Sequence, residues 1–378
     1  MNALCNARGN VIMPDLALTD EQQEFQKLAR EFAQNELAPK AYECDQKSMA
    51  PKEILKQAWE IGLVTASVPD ELGGLGLSLL ECCVIAEELA SGCSGIYGAI
   101  EATTLAQLVL VAVGSEQQKR KYLQPLTESP SFAGLDAQLF SSGQPKLECS
   151  RDKDVFVLNG EIVVANGASA DWFLVSANGP ARRIFIVSRQ DKGVEAGSPV
   201  FSIGRKALDL TNVKLTKVRI DSSNTLELEQ NAWQLIKDQA ACVLAAGSVG
   251  IARSAMQNAI QYSKERKTFG VAISQHQAVG FMLADMAKDV EAARLLIWQA
   301  CLIAGSAQTA LVSAAVARAF AQDMAMRVAT DAVQVYGGYG YSKEYPVEKL
   351  MRDAKAYQVY QGTSADSRVD IGRHLVHQ

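Results

Sequence analysis

Apolar positions follow three regimes along the chain, and each predicts a different kind of structure. From Thr19 to about Leu126 they recur at helical spacing. Asp20 stands before "EQQEFQKLAREFAQNEL" as a candidate cap, Phe25, Leu28, Phe32 and Leu37 share a face, and Pro39 predicts the end of that helix. Further helices are expected over "PKEILKQAWEIG", "SLLECCVIAEELASG", "IYGAIEATTLAQLVLVAVG" and "SEQQKRKYL". Between them "VPDELGGLGLS" reads as a loop: Gly73, Gly74 and Gly76 follow no strand, so they are turn glycines rather than a phosphate cradle.

From about Ser131 to Asp221 the period shortens. "VFVLNG", "EIVVANG", "DWFLVSA", "RRIFIVSR" and "VKLTKVRI" are rich in Val, Ile and Phe and are separated by Gly, Asn, Asp and Ser, which predicts a compact all-β insert. From Trp233 onward three long, alanine-rich segments are apolar over a wide arc, as packed bundle helices are. A loop, a short helix and a terminal helix follow. The expected fold class is α+β: an N-terminal helical domain over 18–130, a middle β-barrel or sandwich domain over 131–222, and a C-terminal four-helix bundle over 223–378. Helices apolar nearly all round need neighbours on several sides, which favours an oligomer.

Composition narrows this picture. The 378 residues are 48% apolar and 21% charged with a net charge of -5, so the chain folds and has no surface built for nucleic-acid phosphates. Eight cysteines lack paired CxxC spacing and only three histidines occur, so no metal site is expected and the thiols read as reduced. The opening "MNALCNARGNVIMPD" lacks the long apolar core of a signal peptide, and no unbroken run of about 18 apolar residues predicts a membrane span. A cytoplasmic location is expected.

Several long motifs resemble the acyl-CoA dehydrogenase family, most nearly its medium-chain branch: "YSKERKTFG", "HQAVGFMLADMA", "ATDAVQVYGGYGYSKEYPVEKLMRDAKAYQVY" and "GTS". The resemblance runs from about Leu18 to Ile371 and implies that family's three-domain fold, FAD, an acyl-CoA or acyl-carrier thioester, a tetramer, and an electron-transferring flavoprotein as electron acceptor. In the family a glutamate removes the proton at Cα while the flavin takes a hydride from Cβ, a division of labour in which the cofactor is the electron sink.

The position of that glutamate is Gln361, and an amide is no base. Ala240 occupies the other position where relatives carry the glutamate. The usual "TEP" and "GSD" segment is replaced by "DAQLFSSGQP" from Asp136 to Pro145, and the "WIT" tripeptide by Val163-Val164-Ala165. Ala241 replaces an arginine, Ala365 a glutamine, and the loop after "IGRKALDL" is shortened. By contrast, the residues that reach an FAD bound mainly by the neighbouring subunit are kept: Arg266, Thr268, Phe269, Gln334 and Gly338. The resemblance adds Gln277 and Thr363 to the cofactor set and Glu101, Tyr360 and Gly362 to the substrate pocket; His276 reads as a core or interface histidine.

Three readings follow. The chain is an FAD-dependent oxidoreductase on an acyl thioester with altered or reduced chemistry; or a non-catalytic subunit that lends half an FAD site to a catalytic partner, as in α2β2 assemblies; or a thioester-binding protein without redox activity.

Overall fold

The computed structural model describes residues 16–178, 183–304 and 310–376, so the expectation for the opening segment lies outside the described residues. Helix α1 (Asp20–Phe32) is capped by Thr19 rather than Asp20: the Thr19 hydroxyl accepts the Gln22 N–H while the Gln22 side chain accepts the Thr19 N–H. Asp20 falls in the first turn, where its charge meets the helix dipole. Pro39 does not stop the helical path. A π turn (Ala33–Leu37) and a 3-10 turn (Ala38–Lys40) carry it into α2 (Ala41–Lys47), because a proline early in a new turn has no N–H to lose.

After α3 (Lys52–Glu60), the two helices expected next form one run, α4 (Leu79–Val113), broken only at Cys93, where φ is -160° and ψ 106°. Helices α5 (Glu116–Tyr122) and α6 (Gln124–Glu128) complete the first part.

Eight strands follow: β1 (Ala133–Asp136), β2 (Leu147–Asp152), β3 (Val155–Ala165), β4 (Trp172–Asn178), β5 (Arg183–Ser188), β6 (Val194–Pro199), β7 (Leu210–Asp221) and β8 (Thr225–Glu227). They form one sheet in the order β6-β7-β3-β1-β4-β5-β8, with β2 bridging β3 and β4. The runs "VFVLNG" and "EIVVANG" are a single strand, β3, that passes through a bulge between Leu158 and Gly160; Gly160 has φ +133°, a conformation that side chains resist. One face closes on Phe156, Leu158, Val164, Phe173, Phe185 and Val213 as a separate small core. Alternate residues of β4 and β5, Trp172, Leu174, Ile184 and Ile186, instead join the large helical core. The β region therefore has a core of its own and is docked on the helices through its other face.

Helix α7 (Gln230–Glu265) leads through a hairpin, β9 (Lys267–Thr268) and β10 (Val271–Ala272), into α8 (Gln277–Ile303) and α9 (Ala310–Tyr336); α10 (Val347–Tyr357) and α11 (Ser364–Val376) pack back on α9. Small residues let α4 and α7 touch backbone to backbone: a Cβ on Gly250 would lie 2.4 Å from the Glu87 carbonyl oxygen. Both helices are long and apolar enough to cross a bilayer, but 83% of each apolar window is buried inside the protein, which makes them core helices. At their crossing Glu88 accepts two bonds from Arg253 (2.6 and 2.8 Å) and two from Arg30, while Glu87 pairs with Arg294 at 2.8 Å.

Candidate functional site

A cavity of about 590 Å³ lies between the sheet and the helices. Its sheet wall is Asp136, Ile162, Val163, Ser176 and Ala177; its helical wall is Trp233, Ala356, Val359 and Tyr360, and the 141–146 loop and Arg183 edge it. At its buried end sits Arg205, only 2% exposed and in the left-handed backbone region (φ +51°). That conformation is uncommon for a residue with a side chain and persists only where surrounding contacts fix it. Here the Arg205 N–H donates to Asp353 Oδ1 at 2.5 Å, and Asp353 also accepts from Ser94 Oγ and Lys349 Nζ. The guanidinium donates to Glu101 Oε2 at 2.5 Å and to the Ser94 carbonyl at 3.3 Å, and lies over the rings of Tyr357 and Tyr360, 4.0 and 4.8 Å from their centroids. The Tyr357 hydroxyl donates to the other Glu101 oxygen at 2.5 Å. Arg205 Nη1 and the Tyr360 hydroxyl are buried, and neither donor has an acceptor within the protein.

Gln361 stands beside this cluster, fully buried and also left-handed (φ +59°). Its Nε2 donates to the Asp136 carbonyl at 2.7 Å, its Oε1 accepts the Phe140 N–H at 3.2 Å, and its own N–H donates to the Ala137 carbonyl at 3.2 Å. The turn is clamped from behind by Arg318, whose Nη2 donates to the carbonyls of Tyr360, Gln361 and Gly362; burial pulls that guanidinium down to about 10. The amide is thus a tie between two backbone segments. Its donor end meets a carbonyl, a contact that a carboxylate could not make.

Among the described residues Asp136 is the only carboxylate on the cavity wall. Burial pushes its carboxyl up to about 6, against the bonds it accepts from the backbone of Gln138 and Ser176. Glu101 touches the cavity only through Arg205. Gly362 has φ +104° and is buried; Thr363 caps α11, its N–H and hydroxyl both directed to Asp366. Ala240 and Ala241 are buried core residues.

The remaining predicted cofactor residues gather elsewhere, around a shallow groove of about 450 Å³ lined by Tyr262, Arg266, Thr268, Ile273 and the 335–339 segment. Arg266 lies 5.7 Å from the Tyr339 ring centroid, and the Thr268 hydroxyl meets His276 Nε2 at 2.9 Å. Phe269 and Gly270 form the two-residue tip of the β9–β10 hairpin, both at positive φ, and the Phe269 ring is 99% exposed. Nothing lies over Gly337 or Gly338, and Gln277 and Gln334 are exposed. So the structure separates the predicted residues into two clusters, one buried and one on the surface.

The family model for the N-terminal domain of acyl-CoA dehydrogenases matches residues 19–129, and that for the C-terminal domain matches residues 238–376. The chain belongs to the acyl-CoA dehydrogenase family. A short-chain-specific acyl-CoA dehydrogenase of Megasphaera elsdenii is 34% identical over 382 residues, covering 93% of this chain and 96% of the relative. A probable acyl-CoA dehydrogenase of Mycobacterium tuberculosis is 34% identical over 384 residues, covering 97% and 98%. Among solved structures, butyryl-CoA dehydrogenase from Megasphaera elsdenii matches with a TM-score of 0.89 at 32% identity, over 96% of this chain and all (100%) of that one. The prolyl acyl carrier protein oxidase AnaB matches with a TM-score of 0.86 at 25% identity, over 95% and 100%. Both solved structures share the fold of this chain over nearly its whole length.

Two site residues were not visible in sequence. Arg205 lay within "IGRKALDL", where one basic residue among several carries no sign of burial. Asp136 was only the first residue of a rewritten segment, and its position on the cavity wall follows from the pairing of β1 with β3, Asp136 opposite Val164.

Proposed function

We propose that this chain is an FAD-dependent flavoprotein that takes an acyl thioester, carried by coenzyme A or a carrier protein, into the cavity between sheet and helices, with dehydrogenase chemistry altered or reduced. The observation that carries this reading is Gln361: the position of the family's base is buried, and its amide and N–H are spent on the 136–140 backbone. Its relatives and neighbours named for acyl-CoA and acyl-carrier substrates supply the substrate class.

The residues present fit the cofactor in two halves. The groove offers a cation at Arg266, a hydroxyl at Thr268, open backbone at Gly337 and Gly338, and an uncovered ring at Phe269. The cavity offers the apolar strand residues Ile162 and Val163 and two donors without an acceptor. Bound FAD supplies the hydride acceptor of the family's chemistry. In this reading Arg266 faces phosphate, Phe269 and Gln334 reach the cofactor of a neighbouring subunit, Gln277 stands near the cofactor, and Tyr360 faces the substrate. Asp136 is the group on the cavity wall that holds or releases a proton near pH 6. The tetramer, the electron-transferring flavoprotein as acceptor and the cytoplasmic location complete the reading.

The test is the absorption spectrum of the purified chain, before and after denaturation and on addition of an acyl-CoA. A flavin band that bleaches slowly or not at all is the expected result. Bleaching at the rate of an ordinary dehydrogenase overturns the altered chemistry, and a chain that never takes up flavin overturns the cofactor.

A second reading is favoured by the contrast between the two clusters: the chain is the non-catalytic subunit of a hetero-oligomer and lends Arg266, Thr268, Phe269, Gln334 and Gly338 to its partner's FAD. The mass of the complex purified from its native source decides it, a homotetramer with stoichiometric flavin being the contrary outcome.

A further inference from the structure

The buried end of the cavity is polar in a way that an alkyl chain does not explain. Arg205 is 2% exposed and Tyr360 7% exposed; both line the cavity, and neither the Arg205 Nη1 donor nor the Tyr360 O–H donor has an acceptor in the protein. Gln361 Nε2 has two hydrogens: one goes to the Asp136 carbonyl and the other serves the Tyr360 oxygen, which leaves the tyrosine O–H as a donor without an acceptor. Every other polar atom of the Arg205 guanidinium is engaged, Nη2 by Glu101 and Nε by Ser94. The geometry is fixed from several sides: the Arg205 backbone is held in the left-handed region by Asp353, and its guanidinium lies over the rings of Tyr357 and Tyr360. Buried donors left without acceptors are destabilising, so a site that keeps two of them in place is completed by what enters it.

We propose that Arg205 Nη1 and Tyr360 Oη form a specificity site for a neutral carbonyl-type oxygen on the acyl group of the ligand, so that the chain selects oxygenated acyl groups over plain alkyl ones. The inference rests on the thioester reading above. The charge of Arg205 is already balanced by Glu101 at 2.5 Å, so a second carboxylate at this end would stand against Glu101 with no new cation facing it. A carbonyl oxygen has two lone pairs and accepts both donors. An alkyl end fills the same space and leaves both unpaired; sites built to hydrogen-bond an oxygen discriminate strongly against analogues that lack it. Arg205 and Tyr360 here act on specificity, and no bond is made or broken at them.

The test uses the full chain, with the flavin it carries on purification, and calorimetric titration with coenzyme A and three thioesters of matched length: pentanoyl-CoA, 4-oxopentanoyl-CoA and glutaryl-CoA. The expected result is that 4-oxopentanoyl-CoA binds at least about tenfold tighter than either of the others. Tyr360→Phe, which deletes only the hydroxyl, should fold with little change in thermal stability and reduce the preference severalfold. Arg205→Lys keeps a charge for Glu101 but loses Nη1, and should reduce it likewise. Equal binding of the three esters, or tightest binding of glutaryl-CoA, overturns the proposal, as does a preference that survives in both variants. If coenzyme A binds and the esters do not differ, this inference fails alone; if neither coenzyme A nor any ester binds, the thioester reading fails and this inference with it.

Discussion

Gln361 shows how one side chain can be read differently once its surroundings are known. From sequence it is a base that has lost its charge; in the fold it is a brace whose amide spans from Asp136 to Phe140. Restoring the acid should therefore not simply restore a base. In Gln361→Glu a carboxylate oxygen would face the Asp136 carbonyl now 2.7 Å from Nε2, so the variant should lose on the order of 1–3 kcal/mol in denaturant unfolding, more at pH 8 than at pH 5, without a large gain in dehydrogenation. A large gain with no loss of stability would show that the side chain turns freely into the cavity. Asp136 makes a second residue-scale prediction. Its acid is raised in the folded state to about 6 from an ordinary 3.8, so the protonated form is favoured by folding, and stability is lost as pH rises from about 4 through 6. The full effect at neutral pH is about 3 kcal/mol, and Asp136→Asn, which keeps an acceptor for the Gln138 N–H, should raise the melting temperature at pH 7.5 more than at pH 4. A pH-independent difference would contradict it. Residue types at both positions were legible in the sequence, but burial and hydrogen-bond direction were not, because partners separated by 221 and 225 positions decide them.

Elements were more legible where their apolar period was long, and least where local conformation bends the rule. All the long helices fall where helical spacing placed them, yet α4 absorbs a predicted gap at Cys93 and the path from α1 to α2 runs past Pro39, since neighbouring packing holds both irregular turns. The strands β1, β2, β6 and β8 escaped detection because they are short or carry few apolar residues, as "VEAGSP" in β6 does. What fastens the elements is also partly electrostatic. Glu88 is 1% exposed in its side chain and joins α4 to α1 through Arg30 and to α7 through Arg253. Burial alone would raise its acid, but the two arginines hold it below the ordinary value, so its contribution is present above the carboxylate range and is lost as pH falls. Glu88→Ala leaves Arg253 in the core with only Glu87, 3.3 Å away, and should cost about 3 kcal/mol, read as a lower midpoint in urea at pH 7, with a smaller difference in acid. A change under about 1 kcal/mol would mean that Glu87 alone, or water, suffices to hold Arg253.

At the scale of the whole molecule, the apolar surface says where this chain expects company. Phe269, Phe281 and Tyr341 are 99%, 63% and 86% exposed, on the hairpin tip, on α8 and after α9. If they close an oligomer, the double substitution Phe269→Ser, Phe281→Ser should lower the mass seen by light scattering and the retained flavin together, while an unchanged mass would place the interface elsewhere. The tripartite order of helices, strands and helices was readable from periodicity alone; how closely the parts depend on one another was not, because the sheet's helix-facing residues look no different from its inward ones. Arg205 carries the final consequence. It follows the β6 strand, yet it is fastened to Ser94 and Glu101 on α4 and to Asp353 on α10, with Tyr357 and Tyr360 across its face. No single stretch of chain can build that constellation during refolding. Ligand recognition should then mature only in the last kinetic phase, after secondary structure is complete, which makes recovery of binding a clock for the docking of distant segments.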